Sequence, residues 1–192
     1  MAAAWPTSYS FSENAISDLG ITTCGPFENP GRGFVYVCSP RHALMNASFA
    51  AFGLLIIAGA ILTRRAWPRR RSTAIGLTLV SLAGAGVILI GLAPANVNLA
   101  VHGIAGLVEF LCQNAAMLVL AVAIWHRQRW LALFSMVSAA IGLVATLLFF
   151  SGQHLGLGVG GMERLAVNPF AAWLAVFGVW LLIRYKGADD RG

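Results

Sequence analysis

Five runs of about 20 apolar residues, separated by short stretches that hold most of the charge, constrain this chain more than anything else in it. A helix needs about 20 residues to cross the hydrocarbon of a bilayer. Each run is continuously apolar and too long for a barrel strand, so each reads as a spanning helix. The expected helices are 43–63, 72–93, 97–125, 130–151 and 165–183. Only 10% of the 192 residues are charged, against about a quarter in soluble domains. The predicted fold class is therefore all-α, a polytopic transmembrane helical bundle. It has an extracytoplasmic segment at 1–42, a bundle at 43–183 and a cytoplasmic tail at 184–192.

The net charge of +6 does not point to nucleic acid. The arginines sit between apolar runs, where they act as topology signals, and no nucleic-acid recognition motif accompanies them. Arg64, Arg65, Arg69, Arg70 and Arg71 follow the first run, Arg127 and Arg129 the third, and Arg184, Lys186 and Arg191 the fifth. These ten fall on one side; Arg32, Arg41 and Arg164 fall on the other. By the positive-inside rule the ten face the cytoplasm of a bacterial inner membrane, and so does the C-terminus. Residues 1–42 then lie outside, although they contain neither a basic n-region nor an apolar h-region. Either the short segment crosses unaided or a spanning helix precedes it, and the second is expected.

Cys24 and Cys38 both fall in that outer segment, where an oxidising compartment favours their pairing. The loop between them holds Gly25, Pro26, Pro30, Gly31 and Gly33, which favour tight turns, and a strand-like run at 33–37. Cys112 lies within the third helix and reads as a packing residue. In the second helix Gly84 and Gly86 make a small-residue patch suited to close helix approach.

Read in order, "ENAISDLG", "CSPRHALMNASFAAFGLL", "GLAPANVNLAVHGIAGLVEF" and "GMERLAVNPFAAWL" resemble a bacterial family of multi-spanning membrane proteins, domain of unknown function 998. The resemblance runs from Trp5 to Ile183. It implies a six-helix bundle in which "ISDLG" follows an earlier spanning helix. It implies no activity and no substrate.

Polar residues inside a membrane are costly and mark sites. Glu109 lies about 18 Å into the third helix, near mid-membrane. His102, Gln113 and Asn98 share its face, making one polar seam, with Asn114 off that seam. Asn46 and Ser48 fall at matching depth, after Arg41 and His42. Glu163, Arg164 and His154 border the fifth helix, and Ser17 and Asp18 lie in the outer segment. The ligand-binding candidates are His102, Glu109, Gln113, Asn98, Asn46, Asp18, Arg41, His42 and Arg164. They converge on the outer half of the bundle.

The function expected from this convergence is binding of a lipid-like or other amphiphilic small molecule in an outward-facing cavity, with membrane lipids as partners. A membrane-embedded enzyme acting on a lipid-like substrate and a proton-linked transporter are the alternatives. Against them stands a purely structural reading, in which the seam satisfies itself. No HExxH, GxSxG or CxxC motif appears, and two residues seven apart on a helix are about 10 Å apart, too far to share a metal. No metal and no cofactor is implied. "AIGL" at 74–77 and 140–143 is too short to mark an inverted repeat. The glycines of "GLGVGG" read as a flexible outer loop, since no strand precedes them and no Lys-Ser or Lys-Thr follows.

Overall fold

A computed structural model describes residues 1–29 and 33–189, with side chains for residues 1–28 and 33–183. Pro30, Gly31 and Arg32 of the expected turn, and residues 190–192 of the expected tail, lie outside the described residues. Five helices form the bundle: α1 (His42–Thr63), α2 (Arg71–Leu92), α3 (Leu99–Ile124), α4 (Arg129–Phe150) and α5 (Gly158–Asp189). All five are long and apolar enough to span a membrane, and the protein is a multi-pass membrane protein. Each helix packs antiparallel against the next in sequence. α1 and α5 are the outermost, with the least buried spanning windows, and α2, α3 and α4 form the centre.

Small residues set the closest approaches. Gly84 faces Gly53 of α1, where an added Cβ would lie 2.8 Å from the Gly53 carbonyl. Gly86, two residues on, faces α3, with a Cβ 2.7 Å from the Ala105 carbonyl and 3.2 Å from the Glu109 Cβ. The expected patch is thus two contacts on two sides of α2, because residues two apart on a helix point about 200° apart. The core below holds Met117, Leu120, Leu131 and Ala139, closed on one side by Trp173 and Phe177 of α5. The Trp173 indole donates to the Ser135 hydroxyl at 2.7 Å, which satisfies two buried polar groups at once.

The helix boundaries match the apolar runs within two residues, except at α5. That helix starts at Gly158 and not at the expected Leu165, so "GVGG" is its first turn and no loop, and it ends at Asp189 and not at the expected Ile183, taking in the first part of the expected tail. It then runs through Pro169. Proline has no N–H, which deprives the Leu165 carbonyl of its usual helical donor. At the neighbouring carbonyl, Ala166, the Gln113 amide donates from α3 at 3.1 Å.

Residues 1–29 and 33–41 fold over one end of the bundle as a lid. Strand β1 (Gly25–Asn29) pairs antiparallel with β2 (Gly33–Val37), and the Cys24–Cys38 disulfide closes the base of this hairpin. Trp5, Leu19, Ile21 and Val37 make a small apolar core with Ala95 of the α2–α3 connection.

Candidate functional site

At the lid end, the start of α5 carries the largest group of contacts. The Arg164 guanidinium donates to the carbonyls of Phe11 (2.8 Å), Asn14 (2.9 Å) and Gly160 (2.8 Å), and to the Tyr9 hydroxyl (2.6 Å). It also lies over the rings of Phe11 and Tyr9. Glu163, the residue before it, accepts the Ile16 N–H. The Tyr9 hydroxyl in turn donates to the Ala15 carbonyl at 3.0 Å. Burial pushes the Tyr9 phenol above its ordinary pKa, opposed by the hydrogen bond and positive charge of Arg164.

Asp18 is 1% exposed, and its carboxylate accepts the Ala15 N–H at 2.9 Å. Further along, Asn46 of α1 donates to the Gly20 carbonyl at 2.9 Å and Ser39 to the Leu19 carbonyl at 2.7 Å. Asn96 accepts the Thr22 N–H and donates to the Thr22 hydroxyl, clipping the lid to the α2–α3 connection. The lid is thereby held from α1, from α5 and from one connection.

The seam on α3 divides by role. Asn98 is exposed and caps the helix, accepting the Val101 N–H at 3.0 Å. His102 is hydrogen-bonded through Nδ1 to the Ala93 carbonyl at 2.9 Å. Glu109 is buried against α2 and lies within electrostatic reach of Glu163. Gln113 and Asn114 are both buried, and Asn114 donates to the Phe110 carbonyl at 2.7 Å. The carbonyl oxygens of both amides have no hydrogen-bond partner among the described residues. Arg41 is exposed at the start of α1, and His42 is half-buried beside it. The lid end therefore gathers Asp18, Glu163, Arg164 and Asn46 around the lid backbone, while Asn98 caps α3 and Arg41 and His42 stand at the start of α1 without a side-chain cap. Among the described residues no three of His, Cys, Asp and Glu form a group that could hold a metal ion.

Two cavities lie at the opposite end. One is an apolar groove of about 280 Å³ between α1, α2 and α5, walled by Trp67, Trp173 and Phe177 and floored by Gly59 and Gly178. Trp67 comes from the α1–α2 connection and stacks on Phe177, with ring centroids 5.1 Å apart. The other is an open concavity of about 1340 Å³, lined by Arg64, Arg65, Arg69, Arg70 and Arg71 together with Thr73. Ala60, Trp67 and Leu77 line both, so the two are neighbours with shared walls. None of the nine candidate residues lines either one.

A family model described as "Protein of unknown function (DUF998)" matches residues 1–180. The chain belongs to that family. No curated protein and no solved structure matches it.

In this DUF998 chain two sets of residues escaped the sequence reading. Tyr9 and Asn96 anchor the lid, yet their partners lie 155 and 74 residues away, and no local pattern marks such pairs. Trp67 and Thr73 sit within and just after the arginine run, which read only as a topology signal. The signal that could have singled them out is "RRAWPRRRST" itself, since a Trp-Pro in a charged connection has no topological purpose.

Proposed function

We propose that this DUF998 protein binds a lipid-like amphiphile in its helical bundle, in a bacterial inner membrane with the arginine-rich end and the C-terminus cytoplasmic. The observation that carries the reading is the pair of adjoining cavities: an apolar groove with aromatic walls opens beside a basic, water-facing concavity. An amphiphile needs those two environments in contact, and ligand sites are concave, mostly apolar and edged by a few polar groups. The ligand belongs at the arginine end, and not beneath the lid around His102 and Glu109. There, Asp18, Asn46 and Arg164 hold the lid and His102 bonds the Ala93 carbonyl, and neither cavity reaches the seam.

Lipid retained through purification tests this reading. Gly178 offers a clean variant, because a Cβ built on it meets nothing within 4 Å and its side chain would enter the groove. The expected result is about one tightly held lipid per chain in the wild type and its loss in Gly178→Leu, read by native mass spectrometry. Equal retention by both proteins would remove the reading.

A further inference from the structure

The basic concavity is more than a run of positive charge. It surrounds the start of α2, where no side chain caps the helix at Arg70, so the first-turn N–H groups of Arg71, Ser72 and Thr73 have no helical acceptor. A helix N-terminus with free N–H groups is a ready anion site. One independent observation marks it as built for a ligand. Thr73 lines the concavity and is only 6% exposed, yet its hydroxyl has no hydrogen-bond partner among the described residues. An unsatisfied buried hydroxyl is costly, so a partner that restores its hydrogen bond is favoured. None of the five arginines around it makes an ion pair among the described residues. Topology alone does not call for this geometry, since Arg127 and Arg129 mark the same end without lining the concavity.

We propose that the N-terminus of α2, the Thr73 hydroxyl and the arginines of the α1–α2 connection bind the phosphate of an anionic phospholipid whose acyl chain lies in the groove of α1, α2 and α5. The proposal rests on the amphiphile reading above and adds the headgroup. Phosphate suits the site because its oxygens accept from guanidinium forks, backbone N–H groups and a hydroxyl together. The shared walls Ala60, Trp67 and Leu77 let one molecule occupy both spaces. They favour a lipid over free phosphate, which would leave the groove unused.

The test is lipid binding to the full chain in detergent, measured by native mass spectrometry with dioleoyl phosphatidylglycerol and the phosphate-free dioleoylglycerol as probes. Phosphatidylglycerol should bind at least about tenfold more tightly, since several basic residues lie beside its charged phosphate. Arg70→Gln with Arg71→Gln should erase that preference. Thr73→Val, which keeps the shape and removes the hydroxyl, should reduce it by at least about threefold. Arg127→Gln with Arg129→Gln, an equal loss of charge at the same end, should leave it within about twofold. Circular dichroism of each variant reports whether the helices persist.

If both double variants lose the preference alike, the arginines act as diffuse charge and the site is overturned. If millimolar inorganic phosphate displaces the lipid, the site takes free phosphate and the lipid assignment is overturned. Two further results separate this proposal from the one it rests on. Loss of both lipids in Gly178→Leu, with no headgroup preference in the wild type, keeps the amphiphile and removes the phosphate site. A lipid-free dimer that Gly178→Leu dissociates removes both, because a second copy then fills the groove.

Discussion

Arg164 carries a charge next to the apolar part of α5, and the position is stable because both terminal nitrogens of its guanidinium have partners. Three carbonyls and one hydroxyl accept from it, and three of those four groups belong to the lid. Hydrogen bonds from a charged donor contribute about 1.5–3 kcal/mol each. Arg164→Ala should therefore weaken lid closure by about 2–4 kcal/mol, allowing for water to replace part of the network. Chymotryptic cleavage near Tyr9 and Phe11 should speed up accordingly, and Arg164→Lys should restore less than half of the loss because a single ammonium cannot reproduce the fork. Unchanged cleavage in Arg164→Ala would mean that the lid is held from elsewhere. Tyr9 adds a dependence on pH. Its folded pKa is raised, so the folded lid favours the neutral phenol. The stability this contributes is complete below the unfolded value of about 10 and is lost as pH rises through the folded value. Alkaline difference spectra near 295 nm should show one late-titrating tyrosine, absent in Tyr9→Phe. Asp18, Glu163 and Arg164 were visible in the sequence as charges beside apolar runs. Their partners were not, because the partners are mostly backbone atoms, and a sequence does not say which distant carbonyl faces a given side chain.

Among the elements, α5 is where sequence and structure part company. Glycine carries a helix penalty of about 1 kcal/mol relative to alanine, so "GLGVGG" reads as loop. The glycines are there for a different reason. The lid backbone lies directly on the first turn of α5, with the Gly161 N–H donating to the Ser12 carbonyl at 3.0 Å. A Cβ on Gly160 would collide with the Asn14 carbonyl group and come within 2.8 Å of Arg164 Nη1. A tertiary contact, invisible to periodicity, has overridden propensity. The four other helices were legible because each is a self-contained apolar run, and β2 because 33–37 is strand-like, whereas β1 was missed because Gly25 and Pro26 read as turn formers. Gly160→Ala should thus destabilise the closed lid by about 1–3 kcal/mol despite its better helix propensity, since overpacking displaces the backbone. The same change at Gly103, where a Cβ meets nothing within 4 Å, should be neutral or slightly stabilising. Thermal unfolding of the two variants in one detergent compares them directly, and equal melting temperatures would refute the packing argument.

For the molecule as a whole, two unrelated kinds of chemistry bear on the proposed orientation. The α1–α2 and α3–α4 connections, with Arg64, Arg65, Arg69, Arg70, Arg71, Arg127 and Arg129, lie at one end, and the lid, with the α2–α3 and α4–α5 connections, lies at the other. Arginine-rich connections are retained in the cytoplasm. A disulfide persists in an oxidising compartment, and the Cys24–Cys38 bridge lies in the lid, at the end poor in arginine. Charge and redox chemistry thus both support the orientation proposed above, with the lid outside and the basic concavity facing the cytoplasmic leaflet. That leaflet carries a negative surface potential from anionic lipids in many membranes, which would concentrate the headgroup proposed for the concavity. Gln153 in the α4–α5 connection and His126 in the α3–α4 connection, both exposed, report the two faces. With Cys112 replaced by serine, Gln153→Cys expressed in a bacterial inner membrane should react with a membrane-impermeant maleimide once the outer membrane is permeabilised. His126→Cys should react only after the inner membrane is opened. The reverse pattern would invert the molecule, place the disulfide in a reducing compartment and turn the arginine concavity away from the cytoplasmic leaflet, so a single labelling experiment bears on the orientation, the bridge and the lipid source together.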